Sequence, residues 1–312
     1  MKFLIDGFGS VGQRHANNLL DLGYKDIIVI SKKQKLDKKY SNLKIYSKLN
    51  DGLGLKPNVV IICNPTSLHD SSIISSAKAN CHIFVEKPVS SQTKNEKKIN
   101  SLIKKKKLIN MVGYMMRFHP AIKIIKNLLK RNEIGKIFHV QSLWGEYLPD
   151  WHPKENYKKS YASNKKLGGG VGLTLSHDLD LIKYFFGAPQ KVFKLDSHVS
   201  SLKLKVDTYS NFLIEFKKDI FATVHLNYLM KKPQRNIIIS GEKGQINFDY
   251  YRSKIFLIKN KSEKILKFKN FKRNDLFLNE IAYFIKCIKN NSKAEPDIKS
   301  SFKLIKEFKI GN

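Results

Sequence analysis

The stretch that decides the fold is residues 1–15, MKFLIDGFGSVGQRH. A short apolar run at residues 2–6 passes directly into three glycines, and the apolar positions beyond them return at helical spacing. The sequence therefore predicts a strand, a tight turn and a helix. Gly7 would permit the turn, Gly9 would let a pyrophosphate approach the backbone, and Gly12 would let the helix pack closely on the strand. This spacing predicts dinucleotide binding.

The same alternation continues over the following hundred or so residues. Four more apolar runs alternate with two helical patterns: strands at 26–30, 59–63, 82–85 and 108–113, and helices at 71–79 and 96–106. Near-continuous apolar strands that alternate with helices indicate a parallel sheet covered on both faces. We therefore predict a doubly wound α/β domain of the Rossmann type over residues 1–118.

The pattern changes after residue 118. Helices are predicted at 121–130 and 171–186, on either side of a long aromatic and polar loop. Strand patterns joined by short turns are the main signal in this part, and two helices end it: strands at 136–143, 191–198, 211–216, 220–229, 236–240, 245–250 and 255–259, and helices at 276–290 and 298–308. Residues 119–312 are thus predicted to form an α+β domain with an open, mostly antiparallel sheet.

The charge of the chain raises the question of a polyanionic partner. The 312 residues carry a formal net charge of +32, yet only six of the 58 basic residues are arginine, and the lysines are scattered along the whole chain. Nucleic-acid readers favour arginine forks for phosphates and base edges. We therefore predict no nucleic-acid partner and interpret the lysines as a solvated surface that could attract anionic ligands.

Cysteine usage and hydropathy bear on the cellular compartment. Cys63, Cys81 and Cys287 are an odd number without CxxC spacing, which favours neither a disulfide framework nor a zinc site. The first apolar run is too short for a signal-peptide core, and no segment approaches the roughly 20 apolar residues that span a bilayer. We expect a cytoplasmic protein with no metal and no membrane partner.

The end of the second predicted strand bears on the choice between nicotinamide cofactors. A carboxylate about 20 residues beyond the glycines would hold a ribose 2′-hydroxyl. The chain has Ser31, Lys32 and Lys33 there. One hydroxyl and two ammonium groups suit a 2′-phosphate better, so the sequence leans towards NADP. NAD remains open, because lysine is abundant everywhere in this chain.

A lysine ends another apolar strand, in the stretch VEKPVS at residues 85–90. Ligands of doubly wound sheets bind outside the carboxyl ends of the strands, and Lys87 is predicted at such an end. Pro88 restricts Lys87 to extended geometry, and Glu86 offers a neighbouring charge. A partly desolvated lysine has a pKa below its usual value of about 10.4, which would suit a hydrogen-bond donor or proton relay beside a reacting hydroxyl. The alternative is a surface turn.

The second candidate region is GGGVGLTLSHDLDLIKYFFG, residues 168–187. Thr174 and His177 are three residues apart on the predicted helix and would share a face. His177 could take the proton of a substrate hydroxyl, although a structural histidine is the alternative. Ring-bearing side chains of the preceding loop could contact a sugar ring or simply anchor the loop: Tyr147, Trp151, His152, Tyr157 and Tyr161.

Five segments, in this order and spacing, resemble the Gfo/Idh/MocA oxidoreductases over nearly the whole chain: GFGSVGQRH, CNPTSLH, VEKPVS, GYMMRFHP and LGGGVGLTLSHDLDLIKYFFG. The resemblance implies an N-terminal domain that binds NAD(P) and a C-terminal domain that supplies the substrate wall and often the oligomer interface. It also implies that Lys87 lies at the catalytic centre and that His177 is the acid/base. The family's aspartate four residues before that histidine is replaced here by Leu173, and Thr174 is three before it.

The resemblance and the residues together give a specific expectation. The protein would be an NAD(P)-dependent oxidoreductase of a sugar, sugar derivative or polyol, in a branch that resembles enzymes of surface polysaccharides, and a homo-oligomer through its C-terminal sheet. Its predicted cofactor residues are Gly7, Gly9, Ser10, Val11, Gly12, Ser31, Lys32, Lys33, Asn64, Pro65, His69, Glu86 and Lys87. Its predicted substrate residues are Arg117, Tyr147, Trp151, His152, Tyr161, Thr174 and His177. A redox-assisted dehydratase or isomerase that recycles NAD(P), and a non-enzymatic nucleotide-binding regulator, are the alternatives.

Overall fold

A computed structural model describes residues 1–32, 37–151, 153, 156–198, 200–260, 262–268 and 271–311. The chain divides into two compact units. The first contains Met1–Met115 and Arg273–Lys303, and the second contains Met116–Lys272 and Leu304–Gly311. The units therefore alternate along the sequence, whereas the sequence analysis placed a single boundary after residue 118. The division by role, into a cofactor domain and a substrate domain, stays a prediction.

A six-stranded parallel sheet forms the centre of the first unit. Its strands are β1 (Phe3–Asp6), β2 (Ile27–Ile30), β3 (Lys44–Tyr46), β4 (Val59–Ile62), β5 (His82–Glu86) and β6 (Asn110–Gly113). The spatial order is β3-β2-β1-β4-β5-β6, and every neighbouring pair is parallel. Strands β1, β2 and β4 are buried at every position, because runs such as VVII place apolar side chains on both faces. This is the doubly wound order, so the predicted fold class is confirmed.

Helices connect these strands or follow them in the chain. They are α1 (Ser10–Asp21), α2 (Leu49–Gly54), α3 (His69–Lys78) and α4 (Glu96–Lys105), and the first unit also contains α8 (Arg273–Lys289). Helix α9 (Ile298–Glu307) follows α8. Among the described residues, every helix falls short of the length and apolar content that a bilayer span requires.

The second unit is built on an eight-stranded sheet. Its strands are β7 (Ile137–Gly145), β8 (Lys191–Ser197), β9 (Tyr209–Phe216), β10 (Ile220–Asn227), β11 (Gln234–Gly241), β12 (Gly244–Asp249), β13 (Lys254–Lys259) and β14 (Ser262–Lys267). Their order is β14-β13-β12-β11-β7-β10-β9-β8, and all neighbours are antiparallel except β7 and β10. Burial alternates along β9 and β10, as expected for a sheet with one covered face.

Three further helices belong to the second unit: α5 (Pro120–Lys130), α6 (Val171–Thr174) and α7 (His177–Phe186). The predicted continuous helix over 171–186 is wrong in one respect, because the structure divides it between Thr174 and His177. Leu175, with φ −98° and ψ 21°, departs from helical geometry and ends the short first segment. Thr174 therefore closes one helix and His177 opens the next, so the shared helical face on which they were paired does not exist.

Candidate active site

The turn between β1 and α1 needs glycine at two positions for steric reasons. Gly7 has φ +100°, and a Cβ placed on it would lie 2.7 Å from the backbone nitrogen of Asn64. A Cβ on Gly12 would lie 2.0 Å from the carbonyl oxygen of Gly7. The helix can therefore approach the strand only if residue 12 has no side chain.

Gly9 differs from its two neighbours in the motif. A Cβ on Gly9 would meet no described atom within 4 Å, so the missing side chain leaves open space over the backbone. Gly9 is also the N-cap of α1, and the helix begins at Ser10. The first N–H groups of a helix lack intrahelical acceptors, and the dipole favours an anion there. Ser10, Val11 and the open Gly9 backbone therefore fit the phosphates of a dinucleotide.

A buried polar cluster lies directly behind this turn. Asp6 ends β1, and its carboxylate accepts hydrogen bonds from Ser72 Oγ at 2.6 Å and from Asn64 Nδ2 at 2.8 Å. Burial raises the pKa of Asp6, and the Ser72 hydrogen bond opposes that rise. Asn64 Oδ1 is buried and accepts no hydrogen bond from any residue that the structure describes. Asn64, a predicted cofactor residue, is thus held in place with one acceptor left for a donor of a bound ligand.

His69 connects the loops that follow β4 and β5. Its Nδ1 lies 2.9 Å from the carbonyl oxygen of Pro88, and its Nε2 lies 3.0 Å from the carbonyl oxygen of Asn64. Burial lowers the pKa of His69, so the ring is neutral near pH 7 and donates through one nitrogen at a time. The ring therefore connects the backbone just before Pro65 to the backbone just after Lys87 and holds both segments in place. Direct contact of His69 with a cofactor stays a prediction.

Lys87 follows the last residue of β5, as the sequence predicts. Its side chain is partly buried, and its backbone nitrogen donates to Glu86 Oε2 at 3.3 Å. Glu86 Oε1 accepts a hydrogen bond from His15 Nε2 at 2.8 Å. One carboxylate thus connects helix α1, the end of β5 and the backbone of Lys87.

A third ionisable group completes this cluster, and the sequence analysis missed it. Glu280 of α8 is fully buried, and one ligand atom from each of His15, Glu86 and Glu280 lies within 4.8 Å of the others. A signal was present in the sequence, since Glu280 is three residues after Phe277 and four before Phe284, on the apolar face of the predicted helix.

Two of the residues proposed to read the ribose, Ser31 and Lys32, lie at the same edge of the sheet. Ser31 follows β2, and its backbone nitrogen donates to the carbonyl oxygen of Tyr46 at 2.9 Å. Lys32 is exposed. Lys33 lies outside the described residues, and the preference for a 2′-phosphate stays a prediction.

His177 lies in the second unit as the first residue of α7, and it is buried. Its ring centroid is 5.9 Å from that of Trp144. Thr174, the last residue of α6, is buried, and the hydroxyl of Tyr228 donates to the carbonyl oxygen of Ala162 at 3.5 Å. Burial raises the pKa of Tyr228 well above its ordinary value, so this tyrosine stays protonated.

The residue after His177 is anchored by a buried ion pair. Asp178 accepts hydrogen bonds from Ser142 Oγ at 2.9 Å and from Arg235 Nε at 2.9 Å. Burial raises the pKa of Asp178, while the charge and hydrogen bonds of Arg235 oppose the rise. The Arg235 guanidinium also lies 3.8 Å from the ring centroid of Trp144. This network fixes the first turn of α7, and therefore the place of His177, relative to β7 and β11.

Arg117 makes a bidentate ion pair that the sequence analysis did not anticipate. Its Nε donates to Asp180 Oδ2 at 2.8 Å and its Nη2 to Asp180 Oδ1 at 2.7 Å. The guanidinium also lies 4.7 Å from the ring centroid of Tyr184. Arg117 thus has a structural role within this unit, and a substrate contact stays a prediction.

The remaining predicted substrate residues come from the aromatic loop. Tyr147 is partly buried, and Trp151 packs edge-on against Tyr228 with ring centroids 5.6 Å apart. Tyr161 is 41% exposed and is the most accessible of the three that the structure describes. His152 lies outside the described residues. A contact of any of these side chains with a sugar stays a prediction.

Comparison with known proteins agrees with this architecture. A model described as an oxidoreductase family with an NAD-binding Rossmann fold matches residues 1–114, and one described as the GFO/IDH/MocA C-terminal domain matches residues 122–247. The fold and the glycine turn, together with the first of these models, define a Rossmann-type oxidoreductase class. Within that class, the chain belongs to the Gfo/Idh/MocA family.

Individual relatives are distant from this chain. It is 25% identical over 307 residues to myo-inositol 2-dehydrogenase of Thermotoga maritima, an alignment that spans 93% of this chain and 89% of the relative. It is 31% identical over 132 residues to levoglucosan dehydrogenase of Pseudarthrobacter phenanthrenivorans, covering 42% of this chain and only 33% of the relative. A solved levoglucosan dehydrogenase in complex with NADH and levoglucosan superposes with a TM-score of 0.86 at 18% identity, over 97% of this chain and 94% of that one. At that identity the superposition shows the fold.

Proposed function

We propose that the protein is an NAD(P)-dependent oxidoreductase that transfers hydride between a nicotinamide and a carbinol carbon of a sugar, sugar derivative or polyol. The observation that carries this proposal is the placement of the open Gly9 turn, Asn64 and Lys87 at the carboxyl ends of β1, β4 and β5 in one parallel sheet. Ligands of doubly wound sheets bind at that edge. The names of the two relatives, dehydrogenases of levoglucosan and of myo-inositol, support the substrate class.

The residues at this edge fit a dinucleotide. The backbone of Gly9 and the first turn of α1 would hold the pyrophosphate, and the free acceptor of Asn64 would receive a donor from the cofactor. Ser31, Lys32 and Lys33 would hold a 2′-phosphate, which favours NADP. Bound NAD(P) would supply the acceptor or donor of hydride. The proposal includes a cytoplasmic location, which the odd number of cysteines supports.

Two side chains would handle the substrate oxygen and its proton. Lys87 would donate a hydrogen bond to the reacting oxygen and so stabilise the negative charge that develops on it. His177 would take the hydroxyl proton during oxidation and return it during reduction. The buried Asp178–Arg235 pair would keep His177 in place by fixing the start of α7.

The substrate wall and the oligomer are the less constrained parts of the proposal. Tyr147, Trp151, His152 and Tyr161, with Arg117 and Thr174, would contact the sugar. The open face of the eight-stranded sheet would bind a second copy of the chain. On this face Phe193 is 69% exposed and is paired in register with Leu213, which is 58% exposed. Neighbouring apolar side chains on such a face are typical of an interaction surface.

A screen of sugars, polyols and nucleotide sugars with both cofactors tests the proposal. An oxidoreductase changes the nicotinamide absorbance in a substrate-dependent manner. His177→Asn should lower kcat if His177 is the proton relay, whereas retained activity would assign that role to Lys87 or Tyr161. Substrate conversion without a net absorbance change would identify an enzyme that recycles its cofactor. Cofactor binding without conversion of any compound would contradict the proposal and favour a regulatory protein.

A further inference from the structure

Glu280 is a carboxyl group in an apolar environment. It lies on the buried face of α8 with Phe277, Ile281 and Phe284, and its exposed fraction is 0%. Neither carboxyl oxygen has a hydrogen-bond partner among the residues that the structure describes. An ionised carboxylate without partners is strongly disfavoured in such a place, so it must either take up a proton or bind a cation.

The nearest ionisable groups come from two other elements. Glu86 ends β5 and His15 lies on α1, and their ligand atoms are within 4.8 Å of that of Glu280. His15 is fully buried, whereas the Glu86 side chain is 13% exposed. Glu86 is therefore the member of the cluster that reaches solvent, and Lys87 follows it at the edge of the sheet.

Other charged or titratable groups act on the same cluster. Arg14 of α1 and Arg273 of α8 contribute positive charge, and Glu86 raises the pKa of Arg14 against the effects of burial and of Arg273. Burial raises the pKa of the Cys63 thiol, and nearby negative charge, that of Glu86 first, raises it further. Cys63 is thus neutral near pH 7. The remaining repulsion within the cluster is that between the carboxylates of Glu86 and Glu280, if both are ionised.

A proton accounts for the geometry of the cluster better than a cation does. His15 Nε2 and Glu86 Oε1 are 2.8 Å apart and hydrogen-bonded to each other. When Glu86 is ionised, Nε2 must carry the hydrogen of that bond and cannot bind a metal ion, so a cation would have only Nδ1 of this ring as a ligand. A protonated Glu280, in contrast, is neutral, so it removes the charge repulsion with Glu86 and needs no additional ligand.

We propose that Glu280 is a positioning residue that holds a proton beside Glu86, so that the two glutamates together carry one negative charge instead of two. Glu86 then remains hydrogen-bonded to His15 and to the backbone nitrogen of Lys87. Its importance for turnover rests on the proposed function, in which Lys87 contacts the substrate oxygen. Burial and the charge of Glu86 both raise the pKa of Glu280 well above its ordinary value, in agreement with this assignment.

The pH dependence of unfolding tests the proton directly, with Glu280→Gln as the isosteric neutral variant. The pKa of Glu280 is higher in the folded state than its ordinary value of 4.5 in the unfolded state. The stability that the bound proton contributes is therefore complete below pH 4.5 and is lost as the pH rises towards the pKa of the folded state. The ratio of the unfolding constants of wild type and Glu280→Gln should therefore rise by about tenfold per pH unit above about pH 5.5. Parallel curves for the two proteins would overturn the proposal.

A second measurement keeps the proposal testable if either protein unfolds irreversibly. Infrared difference spectra of wild type against Glu280→Gln at pH 7 should contain the carbonyl band of a protonated carboxyl group, and the absence of that band would overturn the proposal. Added Mn²⁺ or Zn²⁺ should stabilise both proteins equally. Metal-dependent stabilisation of the wild type alone would identify a cation site and would also overturn it.

Kinetics then test the positioning role. Glu280→Ala should lower kcat by about tenfold or more through the loss of the neutral carboxyl group beside Glu86, and Glu280→Gln should restore most of that loss. In Glu280→Gln the alkaline limb of the kcat profile should move to higher pH. An unmoved limb would contradict the positioning role.

A failure of the proposed function is distinguishable from a failure of the Glu280 assignment. The proposed function fails if Lys87→Ala leaves turnover unaffected. The Glu280 assignment is tested separately, because the infrared and unfolding measurements need no turnover.

Discussion

Arg235 donates from Nε to Asp178 Oδ1 at 2.9 Å, and both side chains are buried. Because the two residues lie on β11 and α7, this ion pair connects the sheet of the second unit to the helix that begins with His177. Removing one partner of a buried ion pair leaves the other charge uncompensated, which is far more costly than removing an exposed pair.

The first prediction concerns that ion pair. Arg235→Leu should lower the free energy of unfolding by roughly 3–5 kcal/mol, because the Asp178 carboxylate is left without its cation. Urea denaturation measures the loss. Arg252→Leu is the matched control, since the Arg252 side chain is 72% exposed and its pair with Asp249 should contribute less than about 1 kcal/mol. Equal losses in the two variants would show that burial does not govern the strength of the Arg235 pair.

The second prediction separates the roles of two glycines in one turn. Gly12→Ala should destabilise the protein, because its Cβ would lie 2.0 Å from the carbonyl oxygen of Gly7. Gly9→Ala should leave the thermal midpoint nearly unchanged, since a Cβ there meets no described atom within 4 Å. It should nevertheless weaken NAD(P) binding by about tenfold or more, because the methyl group would occupy the approach of the pyrophosphate. Unchanged cofactor affinity in Gly9→Ala would place the pyrophosphate elsewhere.

The sequence predicted the parallel sheet well because its strands are buried on both faces. Uninterrupted apolar runs such as VVII at 59–62 are typical of the strands of such a sheet when helices alternate with them, and the doubly wound fold was confirmed. Strands β3 and β14, each at an edge of its sheet, were not predicted, since KIY is only three residues long and SEKILK has no apolar alternation. The break between Thr174 and His177 was also missed, because no proline or glycine lies at 175–176 to signal it.

Side-chain partners were harder to predict than strands. Asp178 and Arg235 are 57 residues apart on different elements, and no local pattern connects them. The guanidinium of Arg117 is held by Asp180, 63 residues away, and this pairing too has no local signal in the sequence. Glu280 could have been found, since its spacing from Phe277 and Phe284 places a carboxyl group on an apolar helix face. The proximity of Glu280 to Glu86 depends on the tertiary fold of the first unit, and the local periodicity of the sequence does not predict that fold.

A third prediction follows from His119, which caps α5 by accepting a hydrogen bond from the backbone nitrogen of Ala121 at 3.0 Å. Burial, and secondarily the charge of Arg235, lower its pKa from 6.5 to about 4. The folded state therefore binds fewer protons than the unfolded state between these values. The stability contributed by neutral His119 is present above pH 6.5 and is lost as the pH falls towards about 4.

Replacing His119 by asparagine should remove this acid sensitivity, because asparagine is also a good N-cap and does not titrate. Urea unfolding at pH 7 and at pH 5 measures the effect. The wild type should lose on the order of 1–2 kcal/mol more than His119→Asn over that interval. Equal losses would mean that the ring titrates alike in the folded and unfolded states.

The fourth prediction addresses cofactor preference. Lys32→Ala combined with Lys33→Ala should raise the Kd of NADP by about tenfold while changing that of NAD little, because only NADP has a 2′-phosphate for the ammonium groups to hold. Calorimetric titration with both cofactors measures the ratio. Lys97→Ala with Lys98→Ala on α4 is the control for a general loss of positive charge. An unchanged ratio of affinities would refute the 2′-phosphate assignment.

The fifth prediction tests the role of Lys87 in the reaction. Lys87→Ala should lower kcat by at least about a hundredfold, because the charge that develops on the substrate oxygen would lose its donor. The Kd of NAD(P) should change by less than about threefold, since the glycine turn and Asn64 would hold the cofactor. Lys94→Ala, an exposed lysine beyond the same strand, is the matched control. Equal losses of turnover and of cofactor affinity in Lys87→Ala would move Lys87 from the chemistry to the binding of the cofactor.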